Sequence, residues 1–326
     1  MDAEALRAHC EYVSKRIELG KVTPWLGAGA NLCGRPPNVD WHDGHLPSGR
    51  ELAEHLARDL PDDWVGNLEQ DVPPELAAMY PGLQRRIGDL VRIALYVELH
   101  GGDAVLFDEL HRLFAGKYEP TTLHCLLADI PVALRGRNSD SPCQLIVTTN
   151  YDDMLERAFT ETGQTFDVVY YSAARDRPGR FMHLAPDGKR TPATKRYSNF
   201  ALGERTVILK LHGAVDRGDE HGDSYVITED HYIDYVALTN IYALIPAALM
   251  RKMSESHFLF LGYAMRDWNL RVILHRIWAN QPREFKSWAI QKEPDPIETK
   301  LWGRKGVEII PEALEDWVDV MRRFLQ

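Results

Sequence analysis

Four apolar runs of strand length in this chain each stop on glycine, asparagine, aspartate or histidine. They are Trp25-Leu26-Gly27-Ala28-Gly29-Ala30-Asn31, Val147-Thr148-Thr149-Asn150-Tyr151-Asp152, Leu209-Lys210-Leu211-His212-Gly213 and Phe260-Leu261-Gly262-Tyr263-Ala264-Met265-Arg266-Asp267. Short apolar runs separated by helical patterns predict parallel strands buried on both faces. In open α/β sheets ligands bind beyond the carboxyl ends of the strands. Polar clusters at the ends of four such strands therefore predict one shared crevice.

The rest of the chain fits that frame. Asp2 to Leu19 has helical spacing, with Leu6, Val13 and Ile17 inward and Gly20 placed to stop it. Val22 to Leu26 is then a first strand, and Asn31 to Pro47 an ordered loop. Ser48 and Glu51 have capping-box spacing. From there to about Ile130 the pattern is helical almost throughout, carried by Leu52, Leu56 and Leu60, by Ile87, Val91 and Leu95, and by Leu106, Leu110, Leu113 and Phe114. Beyond Asp140, Gln144–Thr148, Phe166–Tyr171, Thr206–Leu211, His257–Gly262, Lys286–Gln291 and Gly306–Ile310 read as strands. Tyr151–Phe159, Ile233–Met253, Trp268–Trp278 and Pro311–Gln326 read as helices. The expected fold is α/β: a Rossmann-like, doubly wound parallel sheet with an inserted helical lobe at about 48–135, the whole of 1–326 forming one domain.

Composition narrows the function classes. Of 326 residues, 44% are hydrophobic and 26% charged, the profile of a globular protein with a substantial core. No apolar run is long enough to span a bilayer, and Met1 to Arg16 lacks an apolar signal region. A cytoplasmic location without membrane attachment is expected. Cys10, Cys33, Cys125 and Cys143 are scattered, with no Cys-x-x-Cys pair, and read as free thiols rather than zinc ligands. A net charge of −10 argues against direct nucleic-acid binding. Arg175, Arg177, Arg180, Lys189, Arg190, Lys195 and Arg196 run against that balance. They read as a solvated loop, or as a lid or partner-docking loop beside an anionic ligand.

Each of the four segments has a chemical and a local reading. Gly-x-Gly after a strand lets a backbone approach a pyrophosphate, yet tight turns also contain paired glycines, and the third glycine of the dinucleotide fingerprint is missing. Thr148, Thr149, Asn150, Asp152 and Asp153 would cap a helix, but capping needs one such residue and here there are five. An Asn amide both donates and accepts, so it can orient a water or a ribose hydroxyl. His212 is either a satisfied core residue or a general base at a strand end. Asp267 caps the helix that follows Gly262 or faces a ligand there.

In this order the motifs Gly27-Ala28-Gly29-Ala30-Asn31, Thr149-Asn150-Tyr151-Asp152, Leu211-His212-Gly213 and Gly262-Tyr263…Asp267 resemble those of the sirtuin-like superfamily, and more closely its bacterial branch of NAD-hydrolysing anti-phage effectors. The resemblance implies an NAD-binding Rossmann-like domain in which Gly27, Ala28 and Gly29 meet the pyrophosphate. Asn150 would position water near the nicotinamide ribose, Asp152 would help hold it, Asn31 and Thr149 would bind the cofactor, and His212 would be the catalytic histidine. Gly262 would line the adenosine side, and Asp267 would be a further cofactor-binding residue. Asn31 stands where many relatives have serine.

Protein-deacylating sirtuins carry a zinc ribbon with paired cysteines, which this sequence lacks. The resemblance therefore implies an NAD hydrolase, with NAD as substrate and no metal, releasing nicotinamide and ADP-ribose and depleting NAD during abortive infection. A hydrolase of this kind needs control. That implies a homo-oligomer or a regulatory partner such as a HerA-type ATPase or a short Argonaute, since no sensor domain is evident after the last helix. The alternatives are an NAD-dependent protein deacylase or ADP-ribosyl transferase, and a non-catalytic sensor of NAD or ADP-ribose.

Overall fold

In the computed structural model, which describes residues 1–61, 64, 89–174, 177–237, 244–265, 268–278 and 285–325, the chain opens on helix α1 (Ala3–Glu18). Asp2 caps it by accepting the Ala5 amide at 2.7 Å, and Gly20 ends the connection at φ +63°. Strand β1 (Val22–Leu26) follows and runs into a short 3-10 turn, Ala28–Leu32. Ser48 and Glu51 close the expected capping box at the start of α2 (Gly49–Leu56). Helices α3 (Leu90–Gly101), α4 (Asp103–Phe114) and α5 (Thr122–Gly136) then lead to β2 (Leu145–Thr148).

After α6 (Met154–Glu161) come β3 (Phe166–Ala174), β4 (Arg177–Leu184), β5 (Arg190–Pro192) and β6 (Thr206–Lys210). A small hairpin, β7 (Gly213–Ala214) and β8 (Ser224–Tyr225), precedes α7 (Glu229–Ala237) and α8 (Ala247–Ser254). The chain closes with β9 (His257–Leu261), α9 (Trp268–Trp278), β10 (Ser287–Ile290), α10 (Pro296–Arg304), β11 (Val307–Ile310) and α11 (Leu314–Leu325).

The main sheet has nine strands in the order β11-β10-β9-β1-β2-β6-β3-β4-β5. Every pairing from β11 to β3 is parallel, while β4 and β5 extend the edge antiparallel. Pro24 has no amide to donate, and the β1–β2 pairing begins only at Trp25↔Val147. Alternate strand residues face opposite layers. Trp25, Val147, Leu209 and Phe260 meet Leu249, Met253, Ile273 and Trp302 on one side. Leu26, Ile146, Ile208 and Leu261 meet Val13, Ile17, Leu126 and Trp317 on the other. Both sheet faces are covered, as a doubly wound α/β fold requires.

A third apolar cluster joins the helices between β1 and β2 to the strand ends. Leu52, Leu56, Ile93, Leu106, Leu110 and Phe114 pack with Tyr151, Met154 and Tyr225. Arg217 ties the same junction with polar bonds, donating to Asp153 Oδ1 at 2.8 Å and to the Gly116 carbonyl at 2.9 Å. No helix among the described residues is long and apolar enough to cross a membrane.

Several expectations are corrected. Part of the basic segment is strand rather than loop: Arg177 and Arg180 lie in β4 and Arg190 in β5, and β4 pairs with β3 through contacts such as Tyr171↔Phe181, with Phe181 buried. Phe181 and His183 are buried while Arg180, Met182 and Leu184 are less so, a half-buried strand pattern that the cluster of charges obscured. Ile233–Met253 is not one helix, because Pro246 caps a new one that starts at Ala247. The helix read from Tyr151 begins at Met154, since Asp152 accepts the Met154 amide at 3.1 Å and so turns the chain into the helix. Ile87, Arg175 and Asp267 lie outside the described residues.

Among the described residues His124, His183, His212 and His257 are buried, and His9 is half-buried against Trp288. Burial pushes the imidazole of His212 down to about 3 and that of His9 down to about 4, and it lowers His124 as well. Unfolded, each would take a proton near its ordinary 6.5. As pH falls below that value, the unfolded chain binds protons that the folded chain refuses, and stability is lost. Melting temperature should therefore drop between about pH 7 and about pH 5, where carboxylates titrate little. His212→Gln should flatten that slope, and an unchanged slope in the variant would contradict the assignment. A second expectation concerns Gly262, which sits at φ +74° with an added Cβ only 2.2 Å from the Ala30 nitrogen. Gly262→Ala should cost about 3 kcal/mol and lower the melting point by roughly 4 °C. A melting point equal to that of the parent would remove the close contact from the account.

Candidate functional site

Strands β9, β1, β2 and β6 are consecutive neighbours in the sheet and all parallel. The four polar segments read from the sequence therefore leave the same edge of four adjacent strands. The chain reverses direction across the sheet here: β2 lies on one side of β1, and β9 on the other. Such a switch point opens a crevice because the two connections diverge.

The glycines hold this edge together. The Gly27 amide donates to the Leu261 carbonyl at 3.0 Å, and the Gly29 amide to the Gly262 carbonyl at 2.9 Å. A Cβ at Gly27 would lie 2.7 Å from the Tyr263 ring, and one at Gly29 would lie 2.8 Å from the Gly262 oxygen. Gly27 and Gly29 are thus small because two turns touch through them. Ala30 donates back to Gly27 at 2.9 Å, so three of the four turn amides are used within the fold. The amide of Ala28, an exposed residue, makes no such bond among the described residues.

Asn150 is fixed from two directions. Its backbone amide donates to Thr148 Oγ1 at 3.0 Å, and its side-chain Nδ2 donates to the Gly27 carbonyl at 3.2 Å. A carbonyl only accepts, so this contact sets the amide orientation and leaves Oδ1 as the acceptor end. Thr149 Oγ1 lies 3.2 Å from the Tyr263 hydroxyl and bridges the second and fourth segments.

Asn31 and Asp152 pair below them. Asn31 Nδ2 donates to Asp152 Oδ2 at 2.8 Å, while Oδ1 of Asp152 takes the Met154 amide. Asp152 is thus buried and engaged through both oxygens. Buried Lys210 extends the network, donating to the Asp152 carbonyl and to Glu156 Oε1, the latter at 2.8 Å. Burial holds the Glu156 carboxyl above its usual range despite that lysine, a sign of how dry this layer is.

His212 follows β6 directly. Its carbonyl accepts the Val226 amide at 2.8 Å, which ties it to the β7–β8 hairpin. Gly213 is at φ +103°, and a Cβ there would fall 1.9 Å from the Ser224 carbonyl oxygen, so only glycine lets the hairpin close. The Tyr232 hydroxyl lies 3.2 Å from His212 Nδ1. His212 Nε2 is buried and has no hydrogen-bond partner among the described residues, and neither has Asn31 Oδ1. Both are buried polar atoms at the strand-end cluster with bonding capacity left for a ligand or water.

The structure thus brings Gly27, Ala28, Gly29, Asn31, Thr149, Asn150, Asp152, His212 and Gly262 to one edge; Asp267 falls outside the described residues. Sequence reading missed Tyr232, Tyr263 and the Lys210–Glu156 pair. Lys210 had a signal, being the one charge in the apolar run Val207-Ile208-Leu209-Lys210-Leu211. Tyr232 had none, because it meets His212 only through the hairpin and α7. The cysteines offer no nucleophile: burial raises Cys10 to about 12 and Cys33 to about 11. Among the described residues no cluster of three or more His, Cys, Asp or Glu could hold a metal.

Comparison with known proteins agrees with this geometry. The SIR2-like domain matches residues 144–310, which takes in the second, third and fourth segments. Defense-associated sirtuin 2 of Bacillus subtilis is 29% identical over 173 residues, 52% of this chain and 14% of that protein. The NAD(+) hydrolase ThsA of Acinetobacter baumannii is 29% identical over 194 residues, 58% of this chain and 31% of that protein. ThsA of Bacillus cereus is 27% identical over 221 residues, 64% of this chain and 37% of that protein. The matched region thus spans well under two thirds of the length of these relatives. With the family match covering half the sequence and the strand-end geometry in place, the chain belongs to the SIR2-like family.

Proposed function

We propose that this protein hydrolyses NAD at the nicotinamide–ribose bond, releasing nicotinamide and ADP-ribose, as a cytoplasmic NAD-depleting effector of anti-phage defence. The observation that carries the reading is the pairing of a fixed Asn150 amide with a buried, unpartnered His212 Nε2 at neighbouring strand ends. Relatives named NAD(+) hydrolase support it. The chain is read as one NAD-binding unit over 1–326 with its helical lobe at about 48–135. Control through a homo-oligomer or a regulatory partner belongs to the same reading.

The chemistry asks for positioning and a modest base. Nicotinamide leaves as a neutral molecule, and the C1′–N bond breaks toward an oxocarbenium ion. Water then adds to C1′ and loses its proton to His212 Nε2, which passes it to solvent. Water bonded to such a cation is strongly acidic, so a weak base suffices, and an imidazole held down to about 3 is in its neutral form throughout the physiological range. Asn150 Oδ1 would orient the water. Ala28 is the turn residue best placed to donate to the pyrophosphate, with Gly27 and Gly29 supplying close backbone approach. Thr149 and Gly262 would line the crevice, and Asn31 and Asp152 would brace it. No metal is invoked.

Purified protein at high concentration with NAD should release nicotinamide and ADP-ribose, resolved by mass-coupled chromatography. His212→Ala and Asn150→Ala should each lower turnover by about a hundredfold or more with folding intact. The kcat/KM profile should stay level through pH 6.5, where an ordinary histidine would titrate. Full activity in either folded variant would refute the assignment. NAD bound but unchanged would favour the sensor reading, and NAD consumed only with an acyl-lysine peptide would favour a deacylase.

A further inference from the structure

The bond to His212 Nδ1 is made by Tyr232, a residue from a separate helix. Tyr232 lies in the first turns of α7, where its amide donates to the Thr228 carbonyl at 3.0 Å. Thr228 Oγ1 accepts the next amide back, that of His231, at 3.2 Å, which fixes the helix start. The Tyr232 and Tyr235 rings both meet the imidazole edge-on, at 5.2 Å and 5.6 Å between centroids and nearly perpendicular. The imidazole is thus boxed between two rings from one helix, with its backbone tied to Val226.

We propose that Tyr232 is a positioning residue for the reaction, its phenol oxygen accepting the Nδ1–H of His212 so that Nε2 faces the crevice as a bare lone pair. This deepens the hydrolase reading above and rests on it for its catalytic meaning. A neutral imidazole carries one proton, on either nitrogen, and the hydrogen bond made by the other decides which. If Tyr232 donated to Nδ1, the proton would sit on Nε2 and leave a buried N–H with no acceptor. Orphaned buried N–H groups are rarer than under-satisfied acceptors, so the bare Nε2 is the better-satisfied arrangement. A bare Nε2 is also the only form that can take a proton from water. Tyrosine fits this task better than a carboxylate would. A carboxylate beside Nδ1 would favour the imidazolium, whereas a neutral phenol fixes the tautomer and leaves the ring uncharged.

The test reads the tautomer directly, independently of turnover. Full-length protein labelled with ¹⁵N-histidine would be examined by long-range proton–nitrogen correlation, with His212→Gln assigning the signals. The parent protein should show Nδ1 protonated and Nε2 bare. Tyr232→Phe keeps the ring and should fold with a near-parental melting point, but should move His212 toward the Nε2–H form that free imidazoles prefer. In the NAD assay the same variant should lose about ten- to a thousandfold in kcat with little change in KM, as expected when a base is held in the wrong tautomer. An Nε2–H signal in the parent, or an unchanged tautomer in Tyr232→Phe, would overturn the proposal. So would a changed tautomer with unchanged kcat. Full turnover by His212→Gln would instead refute the catalytic role of His212 itself, and with it any positioning role for Tyr232, while the spectra would still report the bond.

Discussion

The backbone contact between Gly29 and Gly262 is the constraint on which this structure depends. The turns after β1 and β9 touch through main-chain atoms, with the Gly29 amide on the Gly262 carbonyl at 2.9 Å. That contact lets the two connections leave the sheet in opposite directions while their first residues stay together. Gly27 then presents its carbonyl to Asn150, and Tyr263 presents its hydroxyl to Thr149. Two glycine turns therefore position side chains that come from other strands. The pyrophosphate reading of Gly27 and Gly29 needs qualification in this light: their smallness serves the fold first, and a ligand second.

Beneath the crevice lies a dry polar layer whose members restrain one another. Asn31, Asp152, Lys210 and Glu156 form a continuous chain of bonds across β1, β2 and β6. In a low-dielectric interior each bond is stronger than in water, and each unpaired group is more costly. The layer fixes the Asn150–Asp152 segment from below, with Asn31 Oδ1 left without a partner among the described residues. His212 stands at its margin, uncharged because burial opposes its protonation. A preorganised neutral base beside a fixed amide needs little rearrangement when a cationic centre develops nearby.

Much of this was legible in the sequence, for identifiable reasons. β1, β2, β6 and β9 are apolar on both faces, so they stand out as uninterrupted runs, and their terminal polar residues mark the sheet edge. The Ser48–Glu51 box and Gly20 are local signals, and local signals transfer directly to structure. β4 was not legible, because its buried positions are Phe181 and His183 and its more exposed ones Arg180 and Met182, so apolar and basic residues share both faces. The Pro246 break was readable and was overridden by the apolar run around it. In the site, the glycines and His212 declared themselves. Tyr232 did not, because its relation to His212 exists only after the β7–β8 hairpin closes over Gly213.

The account's central claim is that four strand ends form one nucleotide crevice with His212 at its reacting end. A crystal structure of the His212→Gln protein grown with NAD tests it most directly. The account predicts the nicotinamide ribose beside residue 212 and the Asn150 amide, with the pyrophosphate over Ala28. NAD bound elsewhere, or bound here with its nicotinamide ribose remote from residue 212, would contradict it.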